Sequence, residues 1–80
     1  MTKTLHSAKH RRLVELLIEQ RKVAGLTQAD VAKALNRHQL HIANIKSGER
    51  RVDVVEFLEL AQVTGFEPNA ILNALLETAD

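Results

Sequence analysis

The stretch Gln28-Ala29-Asp30-Val31-Ala32-Lys33-Ala34-Leu35-Asn36-Arg37-His38-Gln39-Leu40-His41-Ile42-Ala43-Asn44-Ile45-Lys46-Ser47 decides the fold. Val31, Ala32 and Leu35 fall on one face of a helix, as do Ile42 and Ile45. Between the two sets lies Asn36, which after Gly best tolerates the left-handed backbone that a tight helix exit needs. The spacing predicts one short helix over about 28–35 and a second over about 39–47. Thr27 is placed to cap the first, and Asp30, at its third helical position, can reach back as in a capping box. Ala32 is small where the second helix must approach, so the two can cross steeply as a helix-turn-helix.

Helix signals continue on both sides of this pair. Upstream, Ser7 is a plausible N-cap for a helix running to about Ala24, with Leu13, Leu16, Leu17 and Gln20 on one face, Val14 and Ile18 widening it, and Gly25 as its stop. Downstream, Gly48 ends the pair, and Glu49, Arg50, Arg51 and Val52 form a charged loop. Asp53 then caps a fourth helix with Glu56 three residues on, and Val54, Phe57, Leu58, Leu60 and Ala61 supply its packing surface up to Gly65. A fifth helix starts at Pro68, whose fixed φ and missing N–H suit a first helical position, and carries Ala70, Ile71, Leu72, Leu75, Leu76 and Ala79. Strand-like alternation never lasts more than a few positions. The expectation is all-α: five helices in one domain spanning 1–80, with residues 1–6 as a mobile basic arm.

Composition narrows the function. The chain has 80 residues with no Cys, Trp or Tyr and two Phe. A chain of this size hides only roughly 60% of its unfolded surface, so a second copy that lends surface is expected. Without Cys there is neither a disulfide framework nor a thiolate metal cage. No apolar run approaches the roughly 18 residues of a membrane span, and Met1–Arg12 has no signal-peptide pattern, so the cytoplasm is the expected compartment. Ser7 and Ser47 lie in no nucleophile motif, and there is no glycine-rich phosphate loop, so no enzyme is expected.

Charge is strongly polarised along the chain. All eleven Lys and Arg lie in Met1–Arg51, against only Glu15, Glu19, Asp30 and Glu49. From Val52 onward there is no Lys or Arg, while Asp53, Glu56, Glu59, Glu67, Glu77 and Asp80 are acidic. A basic half suits a polyanion, because each cation laid on a phosphate releases a condensed counterion. The lack of Tyr and Trp removes the stacking platforms used on single strands, which favours duplex DNA.

Three segments together carry a resemblance: Gly25-Leu26-Thr27-Gln28-Ala29-Asp30-Val31-Ala32, Ile42-Ala43-Asn44-Ile45-Lys46-Ser47-Gly48-Glu49-Arg50-Arg51, and Val54 through Ala61. At these separations the chain resembles the Cro/phage-repressor (Xre-type) helix-turn-helix family over about 21–72. The resemblance implies a lambda-repressor-like five-helix DNA-binding domain, with the third helix in the major groove and the start of the second over the backbone. Gln28 then matches a phosphate-binding glutamine at a helix N-terminus. Gln39, Leu40 and Asn44 match the base-reading positions. Gln and Asn can each pair with adenine N6 and N7, whereas Leu40 can touch only a thymine methyl or another apolar edge. His41 and Arg37 lie where a second base or phosphate contact is available. Ser47, Arg50 and Arg51 match the loop that grips phosphates and sets register without reading sequence.

One departure bears on the site. The family usually has Glu at the position of Lys46, paired with an arginine that corresponds to Arg21. Either Arg21 turns to Glu56 or Glu59, or Lys46 is one more phosphate contact. The four His raise a metal question, and His38 with His41 has helical spacing, but two nitrogens make no zinc site and no metal or other cofactor is expected. At the groove, an imidazole that gains a proton would strengthen DNA binding as pH falls.

Residues 68–80 are read as a dimerisation helix, with Phe66, Ile71, Leu72, Leu75 and Leu76 at the interface between two copies, because the small chain and the family's dimeric habit both favour one. The expected protein is a homodimeric, sequence-specific repressor on a palindromic operator, autoregulating like phage, mobile-element or restriction-modification regulators. With nothing after the fifth helix, control is expected from concentration, dimerisation, proteolysis or a partner. The rival reading is an antitoxin or anti-activator that docks a partner protein through Leu40 or the fifth-helix leucines.

Overall fold

A computed structural model describes residues 7–47 and 50–79. The expected arm at 1–6 and the helix stop at Gly48 lie outside the described residues. Among the described residues, five helices follow one another: α1 (Ala8–Val23), α2 (Gln28–Leu35), α3 (Gln39–Lys46), α4 (Val54–Thr64) and α5 (Pro68–Leu76).

Side-chain caps set most of the starts. Ser7 Oγ accepts from the His10 amide at 3.1 Å and opens α1. At α2 the capping box is complete: Thr27 Oγ1 accepts from the Asp30 amide at 3.0 Å, and Asp30 Oδ2 accepts from the Thr27 amide at 2.8 Å. Asp53 caps α4, and Glu67 caps α5 just ahead of Pro68. Two exits use left-handed backbone, Asn36 at φ 56° after α2 and Gly65 at φ 82° after α4. At Asn36 this costs an ordinary side chain roughly 1 kcal/mol, which the short polar Asn largely avoids. The reversal there turns α3 back across α2.

The core is one cluster: Val14, Leu16 and Leu17 of α1, Val31 and Ala32 of α2, Ile42 and Ile45 of α3, Phe57, Leu60 and Ala61 of α4, then Phe66 and Ile71. Each large member stabilises the fold by about 1.5–3 kcal/mol relative to exposure. α2 packs on both α3 and α4, α1 on α3 and α5, and α4 on α5. The Phe57 and Phe66 rings meet with centroids 5.4 Å apart and planes tilted by 50°, which fixes the corner between α4 and α5. Lys9 Nζ donates to the Thr78 carbonyl and ties the start of α1 to the residues just past α5.

This packing bears on three readings of the sequence. Phe66 and Ile71, read from the sequence as part of an interface between copies, are buried in the core of a single copy, Phe66 directly after the Gly65 reversal. Leu75 is half-buried, leaving Leu72 and Leu76 as the large outward residues of α5. Val54 and Leu58 were expected to pack, yet Val54 is 74% exposed and Leu58 49%. Leu58 lies on the side of α4 away from Leu60, and Val54 stands one turn before it at the first position of the helix.

Candidate nucleic-acid interface

The start of α2 and the outer face of α3 form one surface. The capping box takes the amides of Thr27 and Asp30, so the amides of Gln28 and Ala29 remain without an intrahelical acceptor at the positive end of α2. Gln28 is half-buried there. On α3, burial of Ile42 and Ile45 forces the intervening positions outward. Gln39 and Leu40 are exposed, Leu40 at 69%, while His41 and Asn44 are half-buried. His38, Gln39, Leu40, His41 and Asn44 line an open groove. Four sequence-predicted base readers are thus brought to one face. α3 has no side-chain hydrogen bond at its N-cap, His38, so its first-turn amides are also uncapped by side chains.

The expected phosphate contacts divide into two groups. Lys46, Ser47 and Arg51 are exposed at and after the end of α3, with Ser47 Oγ donating to the Asn44 carbonyl at 3.1 Å. Arg37 and Arg50 are engaged by the protein itself. Arg37 pairs with Glu59 at 3.7 Å on the surface, a contact that solvent makes weak. Arg50 is committed more fully: Nη1 and Nη2 donate to the two Glu56 oxygens at 3.0 and 2.8 Å, and Nε donates to the His41 carbonyl at 3.2 Å. In this structure the Arg50 guanidinium is therefore held mainly by the protein, whereas the sequence pointed to a phosphate contact.

Glu56 organises this side of the interface. It is 5% exposed, and besides Arg50 it faces His41 Nε2 at 2.8 Å. Burial alone would raise its carboxyl, but hydrogen bonds from Arg50 and His41, with their charges, hold it below the ordinary value of 4.5. One carboxylate thereby fastens α3, the following loop and α4 together.

Sequence reasoning missed this role, although a signal was present. Glu56 directly precedes Phe57 and lies four residues before Leu60, on the inward arc of α4, where a carboxylate needs a cation. Arg21 resolves in another way than either carboxylate considered for it. Its Nη1 donates to the Leu26 carbonyl at 2.7 Å, so neither Glu56 nor Glu59 is its partner. Among the described residues no group of three or more His, Cys, Asp or Glu is arranged to hold a metal. No described helix is long and apolar enough to cross a membrane.

The α2–α3 pair, with the polar face of α3 turned outward, lies inside the stretch that known proteins share: the helix-turn-helix family profile matches residues 17–71. The chain belongs to the XRE-type helix-turn-helix family. An XRE-family like protein from Pseudomonas syringae pv. tomato str. DC3000 is similar to it in structure, with a TM-score of 0.83 and 40% sequence identity, over 94% of this chain and 92% of that one. No curated protein matches significantly. Membership makes the chain a DNA-binding regulator at family level, on a fold that is generally non-enzymatic.

Proposed function

We propose that this XRE-type protein is a homodimeric, sequence-specific regulator of transcription that represses its own promoter from a partly palindromic operator. The observation that carries the reading is the outer face of α3, where Gln39, Leu40, His41 and Asn44 stand together beside the amide end of α2. With α3 in the major groove, Gln39 and Asn44 pair with base edges, and Leu40 touches a thymine methyl. Gln28 and the α2 amides meet one phosphate, while Lys46, Ser47 and Arg51 hold the next. Arg37 joins them by leaving its exposed pair with Glu59. A second copy meets the first through Leu72 and Leu76, with Leu75 at the edge. The compartment is the cytoplasm.

Enrichment of random duplex DNA on the purified protein, followed by sequencing, tests this reading. Two inverted half-sites with centres about ten base pairs apart, matching one helical turn of about 34 Å, are the expected result. Retention that depends on salt but not on sequence would overturn it.

A second reading is favoured by one observation. Leu40 is 69% exposed on an otherwise polar face, which also suits a protein partner in an antitoxin or anti-activator. Under that reading Leu40→Ala abolishes partner binding and leaves DNA retention unchanged.

A further inference from the structure

Hydrogen-bond polarity at the buried Glu56 determines what one α3 residue can offer to DNA. An ionised carboxylate only accepts, and a guanidinium only donates. Glu56 Oε1 accepts from Arg50 Nη1, and Oε2 accepts from Arg50 Nη2 while lying 2.8 Å from His41 Nε2. Nε2 must therefore carry a hydrogen and donate it. In a neutral imidazole that leaves Nδ1 bare, an acceptor. His41 borders two spaces. One is the polar cleft that holds Arg50 and Glu56; the other is the open groove over Gln39, Leu40 and Asn44. With Nε2 engaged in the cleft, Nδ1 is the ring nitrogen left for a base. Gln39 and Asn44 can reverse their donors and acceptors by rotating an amide. His41 cannot.

We propose that Glu56 is a specificity-determining positioning residue: by keeping the hydrogen of His41 on Nε2, it presents Nδ1 to the major groove as an acceptor and selects an exocyclic amino donor, adenine N6 or cytosine N4. The proposal rests on α3 being the recognition helix.

Two measurements test the proposal, the first on the native protein alone. Two-bond 1H–15N NMR of the imidazoles at pH 7.5 should show His41 as the Nε2–H tautomer, and a dominant Nδ1–H form would overturn the proposal. The second repeats the duplex enrichment with the native chain, Glu56→Gln and His41→Ala. Both variants should lose about tenfold of preference at one base position, within the range of a single lost base contact, and keep it at the others. If the native chain selects a site and neither variant changes it, this inference fails while the DNA reading stands. If the native chain selects no site, both fail together. Should Glu56→Gln not fold, the native tautomer and the His41→Ala enrichment still decide.

Discussion

The starts of α2 and α4 are written with the same pattern, Thr27 with Asp30 and Asp53 with Glu56, yet the structure uses the two carboxylates differently. At α2 the pattern closes on itself, with Asp30 returning to the Thr27 amide on the exposed surface. At α4 only half of it closes: Asp53 Oδ1 accepts from the Glu56 amide at 2.7 Å, while the Glu56 carboxylate turns to Arg50 and His41. Asp30 stands exposed, where its box is satisfied locally, whereas Glu56 lies inward beside a guanidinium whose fork meets both carboxylate oxygens. The pattern decides where a helix begins. The neighbours in space decide what its third residue does.

If the contrast is right, the largest effect belongs to Glu56. Glu56→Ala leaves the half-buried Arg50 without its carboxylate and is expected to destabilise the fold by about 3 kcal/mol, read as a shift in the urea unfolding midpoint. A loss below about 1 kcal/mol would mean that the cluster behaves like a surface pair. Next in size is the coupling between the two partners. A double-mutant cycle on Arg50→Ala and Glu56→Ala should give about 2 kcal/mol of interaction energy, against near zero for a cycle on the exposed Arg12 and Glu15 pair. Smaller again is Thr27→Ala, which removes a cap worth about 1 kcal/mol and leaves the Arg50 cluster intact.

The same contrast explains what is legible in the sequence. Helix starts and stops depend on residues within four positions of each other, so Ser7, Thr27, Asp53, Pro68, Asn36 and Gly65 declare the five elements through local pattern alone. The family resemblance, carried by adjacent residues from Gly25 to Ala61, is legible for the same reason. Burial is less so. Phe66 follows a glycine reversal whose direction only the fold sets, and an apolar residue such as Val54 or Leu58 reads as core until the period of its helix is anchored to a neighbour. Least legible are the side-chain destinations. Glu56 reaches a histidine fifteen residues back, and Arg21 bypasses Glu56 and Glu59 for a nearby carbonyl. Such choices follow from distances that no local pattern contains.

The smallest expected difference is in acid. Both carboxyls are lowered in the folded protein: Asp30 by hydrogen bonds within its box to Thr27, Glu56 because the bonds and charges of Arg50 and His41 overcome its burial. A lowered carboxyl contributes stability that is complete above its unfolded value and is lost as pH falls through the folded one. For the ordinary values of 3.8 for Asp30 and 4.5 for Glu56, stability should hold at neutral pH and decline below about pH 4.5. Urea midpoints measured from about pH 6 to about pH 2 should therefore fall less steeply in Glu56→Gln, which has no carboxyl to protonate at that position. Thr27→Ala should flatten the same curve to a lesser degree, because Asp30 stands in water, where solvent already screens it. Equal flattening by the two changes would mean that the inward carboxylate gains nothing over the outward one, and the contrast between the two helix starts would be geometric without being energetic.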